Sequence, residues 1–255
     1  MKTLSLLKFL ALSKNQHGIH SPFVYNLITK CFYNQKHFEA YELWEDVYQS
    51  HLASDVILQV ENSESSYLAS KSKRKTVSKL TKQNSMARKR ARLMIRLVDY
   101  FSIQTALEFG TFVGLGSASI AGSGQVNLKT IESCPVTSAY AKSQFEKLEL
   151  HNIKFINSSF AESFTALTSE EKFDLVFVSQ HSQEQFSLWL FESLLKHFHN
   201  DSLLIIDGIY SSSSMIALWN KIKNHEDVQV TIDTYKWGFV FFRKEQVKQN
   251  FVIRV

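Results

Sequence analysis

Cysteine is nearly absent from this chain of 255 residues: Cys31 and Cys134 are the whole complement, more than 100 positions apart. That excludes a disulfide framework and a clustered thiolate metal site, and it points to a reducing compartment. Proline (2) and glycine (8) are also scarce, so little of the chain is left for irregular loops and the glycines that remain carry information. No run reaches the roughly 18 uninterrupted apolar residues that a membrane span needs. The apolar start, Met1 to Ser13, is interrupted by Lys8 and lacks a small-residue cleavage site, so it does not read as a secretory leader. A cytoplasmic protein is expected.

What the chain does have is an ordinary globular balance, 44% hydrophobic and 21% charged, enough for one sizeable α/β core plus an extension. Its net charge of +5 is unevenly spread. Lys71 to Arg96 carries eleven Lys or Arg and no acid, while the rest holds 18 basic and 24 acidic residues. One segment makes the protein basic. Such a segment is either a solvated helix face or an electrostatic footprint for a polyanion, with weak, salt-sensitive binding expected.

From Thr105 onward, short β-branched or apolar runs alternate with amphipathic segments, which predicts a parallel sheet wrapped by helices. Strands are expected at Thr105 to Phe109, Val126 to Ile131, Ile153 to Ile156, Phe173 to Ser179 and Ser202 to Asp207. Val228 to Tyr235 and Gly238 to Arg243 are separated by a tight turn and predict a closing antiparallel hairpin. Crossover helices are expected at Gly116 to Ala121, Val136 to Leu150, Gln183 to Phe198 and Ser212 to Asn224. A further helix, Met86 to Phe101, puts Ala87, Ala91, Met94, Val98 and Phe101 on one stripe. Residues 1–70 read as mostly helical, with aromatic-rich patches at Tyr25 to Tyr33 and His37 to Leu52. The expected division is a helical extension with a basic lid over 1–85 and the main domain over 86–255.

The chemistry is written in Leu107-Glu108-Phe109-Gly110-Thr111-Phe112-Val113-Gly114-Leu115-Gly116, which follows a predicted strand and opens a helix. Its glycines stand where the backbone must turn and approach a ligand closely. The next predicted strand ends in Glu132, an acid placed to accept both hydroxyls of a ribose. Strand, glycine loop, helix, strand and acid arrive in the order of a nucleotide site.

Glu108-x-Gly110-x-x-x-Gly114-x-Gly116 followed by Glu132 resembles motif I and the ribose-binding acid of class I S-adenosylmethionine-dependent methyltransferases. Five β-α units closed by a hairpin is also the succession of their doubly wound, Rossmann-like sheet of seven strands with the last one antiparallel. His17-Gly18-Ile19-His20-Ser21-Pro22-Phe23-Val24 and the tail Phe251-Val252-Ile253-Arg254-Val255 resemble a bacteroidete O-methyltransferase-like group. The resemblance implies S-adenosylmethionine as cofactor, with Glu108, Gly110, Thr111, Gly114 and Gly116 around its methionine part and Glu132 and Ser133 at the ribose. It also implies Ser158, Ser159 and Phe160 beside the adenine, and Ser179 at the end of the fourth strand. Asp207, His181, Tyr210 and His20 are the candidates for a base near the methyl acceptor, Asp207 first because it ends a central strand.

Two positions depart from the metal-dependent members of that fold: Ser179 stands where they carry an acid, and Gly208 follows Asp207 where they carry a second oxygen ligand. One carboxylate makes a poor Mg²⁺ site, so no metal is expected. The stretch Glu61 to Ser66 also lacks the glycines usual in the bacteroidete group. The leading expectation is O-methylation of a small molecule. The alternatives are a catalytically impaired, cofactor-binding regulatory or scaffold protein and, third, a nucleic-acid methyltransferase, which the absence of an Asn/Asp-Pro-Pro-aromatic motif argues against. Met215 and Trp219, four apart on a predicted helix, read as core packing. The aromatics Tyr25, Phe32, Tyr33, Phe38, Tyr41 and Trp44 either line an acceptor pocket or pack the extension.

Overall fold

The structure is a computed structural model that describes residues 2–14, 18–60, 73–84, 86–180 and 185–255. The chain divides into two compact units, one made of Met1–Gln35 with Leu167–Val255 and the other of Lys36–Ala166. The chain starts in the first unit with α1 (Lys2–Leu12) and α2 (Pro22–Leu27). Ser21 caps α2 by accepting from the Val24 amide, Pro22 sits where its missing N–H costs nothing, and one π turn, Ile28–Phe32, ends the segment.

The second unit opens with α3 (Ala40–Leu52), a two-stranded antiparallel ribbon of β1 (Ile57–Val60) and β2 (Lys73–Thr76), and α4 (Val77–Asn84) and α5 (Arg88–Tyr100). The sequence reading had no strand here. β2 is Lys-Arg-Lys-Thr, with none of the apolar alternation that reveals a strand, and it exists through its pairing with β1. Then come β3 (Thr105–Phe109), α6 (Leu115–Ala121), β4 (Asn127–Glu132), α7 (Pro135–Lys147), β5 (Ile153–Asn157) and α8 (Phe160–Ser163). β3, β4 and β5 form a parallel sheet in that order, with Glu108 opposite Thr130 and Glu132 opposite Asn157.

The chain returns to the first unit with β6 (Leu175–Val178), α9 (Leu188–Leu194), β7 (Leu203–Asp207), α10 (Ser213–Asn224), β8 (Val230–Asp233), β9 (Trp237–Phe241) and β10 (Gln249–Val252). Every residue of β6, β7, β8 and β9 is buried, as strands covered on both faces must be. Here β6 and β7 are parallel, and β9 runs antiparallel to both β7 and β8, as the hairpin pattern predicts. Among the described residues the expected count of seven strands is corrected to eight, the ribbon aside, because β10 adds itself parallel to β8. Gln249–Val252 has two exposed polar residues, two half-buried apolar ones and no periodic signal; pairing with β8 makes it a strand. The helix expected from Gln183 runs only from Leu188, capped by Ser187 and continued by a 3-10 turn at Leu195–His197; its expected start, at residues 183–184, lies outside the described residues.

Met215 and Trp219 are buried, and a Cβ on Gly238 would come within 2.9 Å of both Ile209 and the Trp219 ring. This is core packing. Both cysteines are free thiols. Among the described residues no helix is long and apolar enough to cross a membrane.

Candidate functional site

The turn from β3 to α6 is built around two glycines with positive φ, Gly110 at 92° and Gly114 at 89°, a region that L side chains avoid. Between them Phe112 is held at φ 51° despite having a side chain, a strain that persists only where the surroundings enforce it. The enforcement is visible in hydrogen bonds. The Gly110 amide donates to the Ile131 carbonyl at 2.8 Å, and the Gly114 amide to the Thr111 carbonyl at 2.8 Å. The strained Phe112 amide donates to Glu132 Oε2 at 2.8 Å.

Glu132 therefore joins the loop to the end of β4. Its other oxygen accepts from the Cys134 amide at 2.9 Å. Burial raises the Glu132 pKa above the ordinary carboxylate value, and the amides of Cys134 and Phe112 pull against that rise. The residue as a whole is 8% exposed. Beside it Asn157 Nδ2 donates to the Glu132 carbonyl at 2.7 Å, and the next residue, Ser158, has a buried hydroxyl with no hydrogen-bond partner.

Thr111, at the start of the loop, joins a buried polar network. Glu108 is fully buried; its Oε2 accepts from Thr130 Oγ1 at 2.7 Å and from Ser117 Oγ. Thr130 has given its single hydroxyl proton to Glu108, so the 2.5 Å contact between the Thr111 and Thr130 hydroxyls has Thr111 as donor. Burial drives the Glu108 carboxyl up to about 7, partly offset by the Ser117 and Thr130 hydrogen bonds. Of the residues named from sequence for a cofactor, Glu108 and Thr111 thus face inward. Gly110 and Gly114 form the turn, and Gly116 lies in the first turn of α6, its carbonyl accepting from Ser119 Oγ at 2.6 Å. Ser133 is exposed. Ser159 caps α8, its hydroxyl accepting from the Glu162 amide and donating to Glu162 Oε2 at 2.8 Å. Phe160 is buried, edge-on to Phe109 at 4.8 Å.

Sequence reasoning missed a second layer, supplied by α3. Trp44 Nε1 donates to the Leu115 carbonyl at 2.9 Å, and His51 Nε2 meets the Val113 carbonyl at 2.8 Å. A carbonyl can only accept, so Nε2 carries the proton; burial lowers the His51 pKa and keeps the ring neutral. No local signal could have found these contacts, which span 71 and 62 residues.

The other named residues lie in the unit that holds β6 to β10. Asp207 closes β7 and is 5% exposed; Gly208, at φ 79°, starts the turn after it and donates to the Lys236 carbonyl at 2.6 Å. Tyr210 donates to Asp233 Oδ2 at 2.5 Å and stacks on Tyr235 at 5.1 Å. Burial, with the Asp233 hydrogen bond behind it, raises the Tyr210 pKa well above the usual phenol value. Ser179 is buried just past β6, and His20 is exposed. His181 lies outside the described residues, as does Glu61 to Ser66.

The basic segment is described from Lys73 to Asn84 and from Met86 to Arg96, and part of its charge is used internally. Arg88 pairs with Glu45 at 2.7 Å and lies over the Tyr48 ring at 4.6 Å; Arg92 lies over Tyr41 at 5.3 Å, and Arg96 donates to the Tyr41 hydroxyl. Phe32 packs against Phe239 at 5.3 Å and Phe38 against Tyr41 at 5.4 Å. The early aromatics divide between the two units. Among the described residues no group of three or more His, Cys, Asp or Glu could hold a metal ion.

No family model and no curated protein matches the chain. Solved structures do. An S-adenosylhomocysteine-bound methyltransferase, PaMTH1 from Podospora anserina, superposes with a TM-score of 0.58 at 12% identity, over 89% of this chain and 97% of its own. The O-methyltransferase TomG from Streptomyces achromogenes, in complex with S-adenosylmethionine, gives 0.57 at 15% identity, over 90% and 99%. An O-methyltransferase from Bacillus cereus with bound S-adenosylhomocysteine gives 0.55 at 15%, over 86% and 95%. The fold is the Rossmann-like methyltransferase fold.

Proposed function

We propose that this chain is a cytoplasmic S-adenosylmethionine-dependent methyltransferase, related to the bacteroidete group its motifs resemble, acting on an oxygen of a small molecule without an obligatory metal. The observation that carries the reading is the Glu132 carboxylate beside the glycine loop. The Phe112, Cys134 and Ser133 amides and the Thr137 hydroxyl hold the carboxylate in place at the end of β4, where the hydroxyls of a ribose would donate to its oxygens. The unpartnered Ser158 hydroxyl, one residue past Asn157, supports the same fit, since a buried hydroxyl left unpaired costs about 1–3 kcal/mol and an adenine edge would satisfy it. The residues present suit the cofactor, which when bound supplies an electrophilic methyl group on a sulfonium.

The roles of the chain's own residues follow from where each stands. Glu132 holds the ribose, Gly110 and Gly114 give the backbone its close approach, and Ser133, Ser158, Ser159 and Phe160 flank the nucleoside, Ser159 through its backbone because its hydroxyl is committed to Glu162. Glu108 and Thr111 support the loop through their buried network. On the acceptor side, Asp207 orients a hydroxyl or takes its proton. Tyr210 is the weaker base because its proton is donated to Asp233, and His181 and His20 stand behind Asp207, while Ser179 contributes to cofactor binding. Polyanion binding by the segment Lys71 to Arg96 is expected to be weak and salt-sensitive, since Arg88 is already paired.

A second reading, a cofactor-binding regulatory protein without turnover, is favoured by Ser179 and Gly208, which stand where the metal-dependent members carry oxygen ligands. Titration calorimetry with S-adenosylhomocysteine, combined with transfer of labelled methyl groups to fractions of a cell extract, separates the two. Micromolar binding with labelled product supports the enzyme, and binding with no product from any fraction supports the regulator. No binding at all overturns both.

A further inference from the structure

We infer that α3 belongs to the cofactor site, with Trp44 and His51 as positioning residues that brace the glycine loop from behind; this rests on the cofactor reading above. The two are seven positions apart, two turns of one helix, and so share a face. Both are buried. Their N–H groups take the carbonyls of Val113 and Leu115, the residues on either side of Gly114. One rigid element therefore holds the peptide just before Gly114, where φ is 89°, through the Val113 carbonyl, and the peptide just after Leu115 through the Leu115 carbonyl.

Three amides of the loop are already held, two by β4 and one within the loop. Gly110 is held by Ile131, Phe112 by Glu132, and Gly114 by Thr111. Without α3 the Val113 and Leu115 carbonyls would lose these side-chain donors, and the peptide just before Gly114 would lose a contact that sets its orientation.

The brace is itself supported. Tyr48 stacks flat on Trp44 at 5.1 Å and 14°, and Arg88 caps Tyr48 while pairing with Glu45. On the other side the Tyr140 ring of α7 meets His51 edge-on at 5.5 Å. One arginine of the basic segment is thus the outer end of a stack, Arg88 to Tyr48 to Trp44, that ends on the loop.

The test uses the full chain and S-adenosylhomocysteine as probe. Trp44→Phe keeps the ring and removes the donor; His51→Phe does the same for the second contact, and His51→Gln restores an N–H. Each removal is expected to raise Kd about 5- to 20-fold, with His51→Gln within about 3-fold of the parent. Leu128→Ala, a buried change at the far end of β4 from Glu132, controls for general softening. It should lower Tm with Kd unchanged. Parental Kd in both Phe variants, or an equal loss in Leu128→Ala, overturns the bracing role alone; a parent that does not bind overturns the cofactor reading and this inference together. Should a variant not fold, hydrogen exchange on the parent decides. Added S-adenosylhomocysteine should slow exchange in the α3 peptide, residues 40–52, as well as in the loop peptide, residues 110–117, and protection confined to the loop would overturn the inference.

Discussion

Replacing Glu108 with glutamine should flatten the dependence of stability on pH. The carboxyl moves from 4.5 to about 7 when it is buried among Ser117, Thr130 and the Glu132 charge. The folded state therefore binds the proton more tightly than the unfolded chain, and between those two values it carries more protons. Stability must then fall as pH rises through that window, and one pKa unit corresponds to about 1.36 kcal/mol, so the full loss is about 3 kcal/mol. Glutamine does not titrate. Its amide places an N–H where Glu108 Oε1 has no partner, which costs about 1–3 kcal/mol at every pH, so the slope carries the information and the height does not. Urea unfolding of parent and variant at intervals from about pH 5 to about pH 8 gives the two slopes. The other perturbed groups, Glu132 and Asp233 raised by burial and His51 lowered by it, are present in both proteins and cancel in the difference. Parallel stability curves would refute the assignment of Glu108 as a buried acid titrating near neutrality.

Glu132→Ala should weaken S-adenosylhomocysteine binding by about 1.5–3 kcal/mol by calorimetry, through lost charge-assisted hydrogen bonds; unchanged affinity removes Glu132 from the site. Gly114→Ala combines a left-handed φ with a Cβ 2.7 Å from the Phe145 ring, and should destabilise by about 2–4 kcal/mol in thermal or urea unfolding. Asp207→Asn should cut methyl transfer by roughly 10² to 10⁴ with cofactor affinity nearly unchanged, and equal labelling by both proteins would eliminate Asp207 as base. Binding and turnover should both survive EDTA, whereas strict Mg²⁺ dependence would show that Ser179 and Gly208 do not abolish a metal site.

The alternation of β and α segments after Thr105 was legible because both periods are local: a buried strand is a short apolar run, and an amphipathic helix repeats every 3.6 residues. The glycine turn was legible for the same reason, since positive φ at Gly110 and Gly114 is a demand on single residues. β2 and β10 were not legible. Lys73–Thr76 and Gln249–Val252 carry little apolar signal and are strands because β1 and β8 offer them edges to pair with. Likewise the sequence put Glu132 after its strand, but only the fold brought its carboxylate to the Phe112 amide, and only burial set the Glu108 carboxyl near neutrality. Trp44 and His51 mark the limit. In sequence they are an aromatic and a histidine on a predicted helix, and nothing within several residues distinguishes them from packing. Their hydrogen bonds to Leu115 and Val113 close loops of 71 and 62 residues, and contacts of that span are decided by how the elements pack, because local propensity acts over a few positions and tertiary structure over the whole chain.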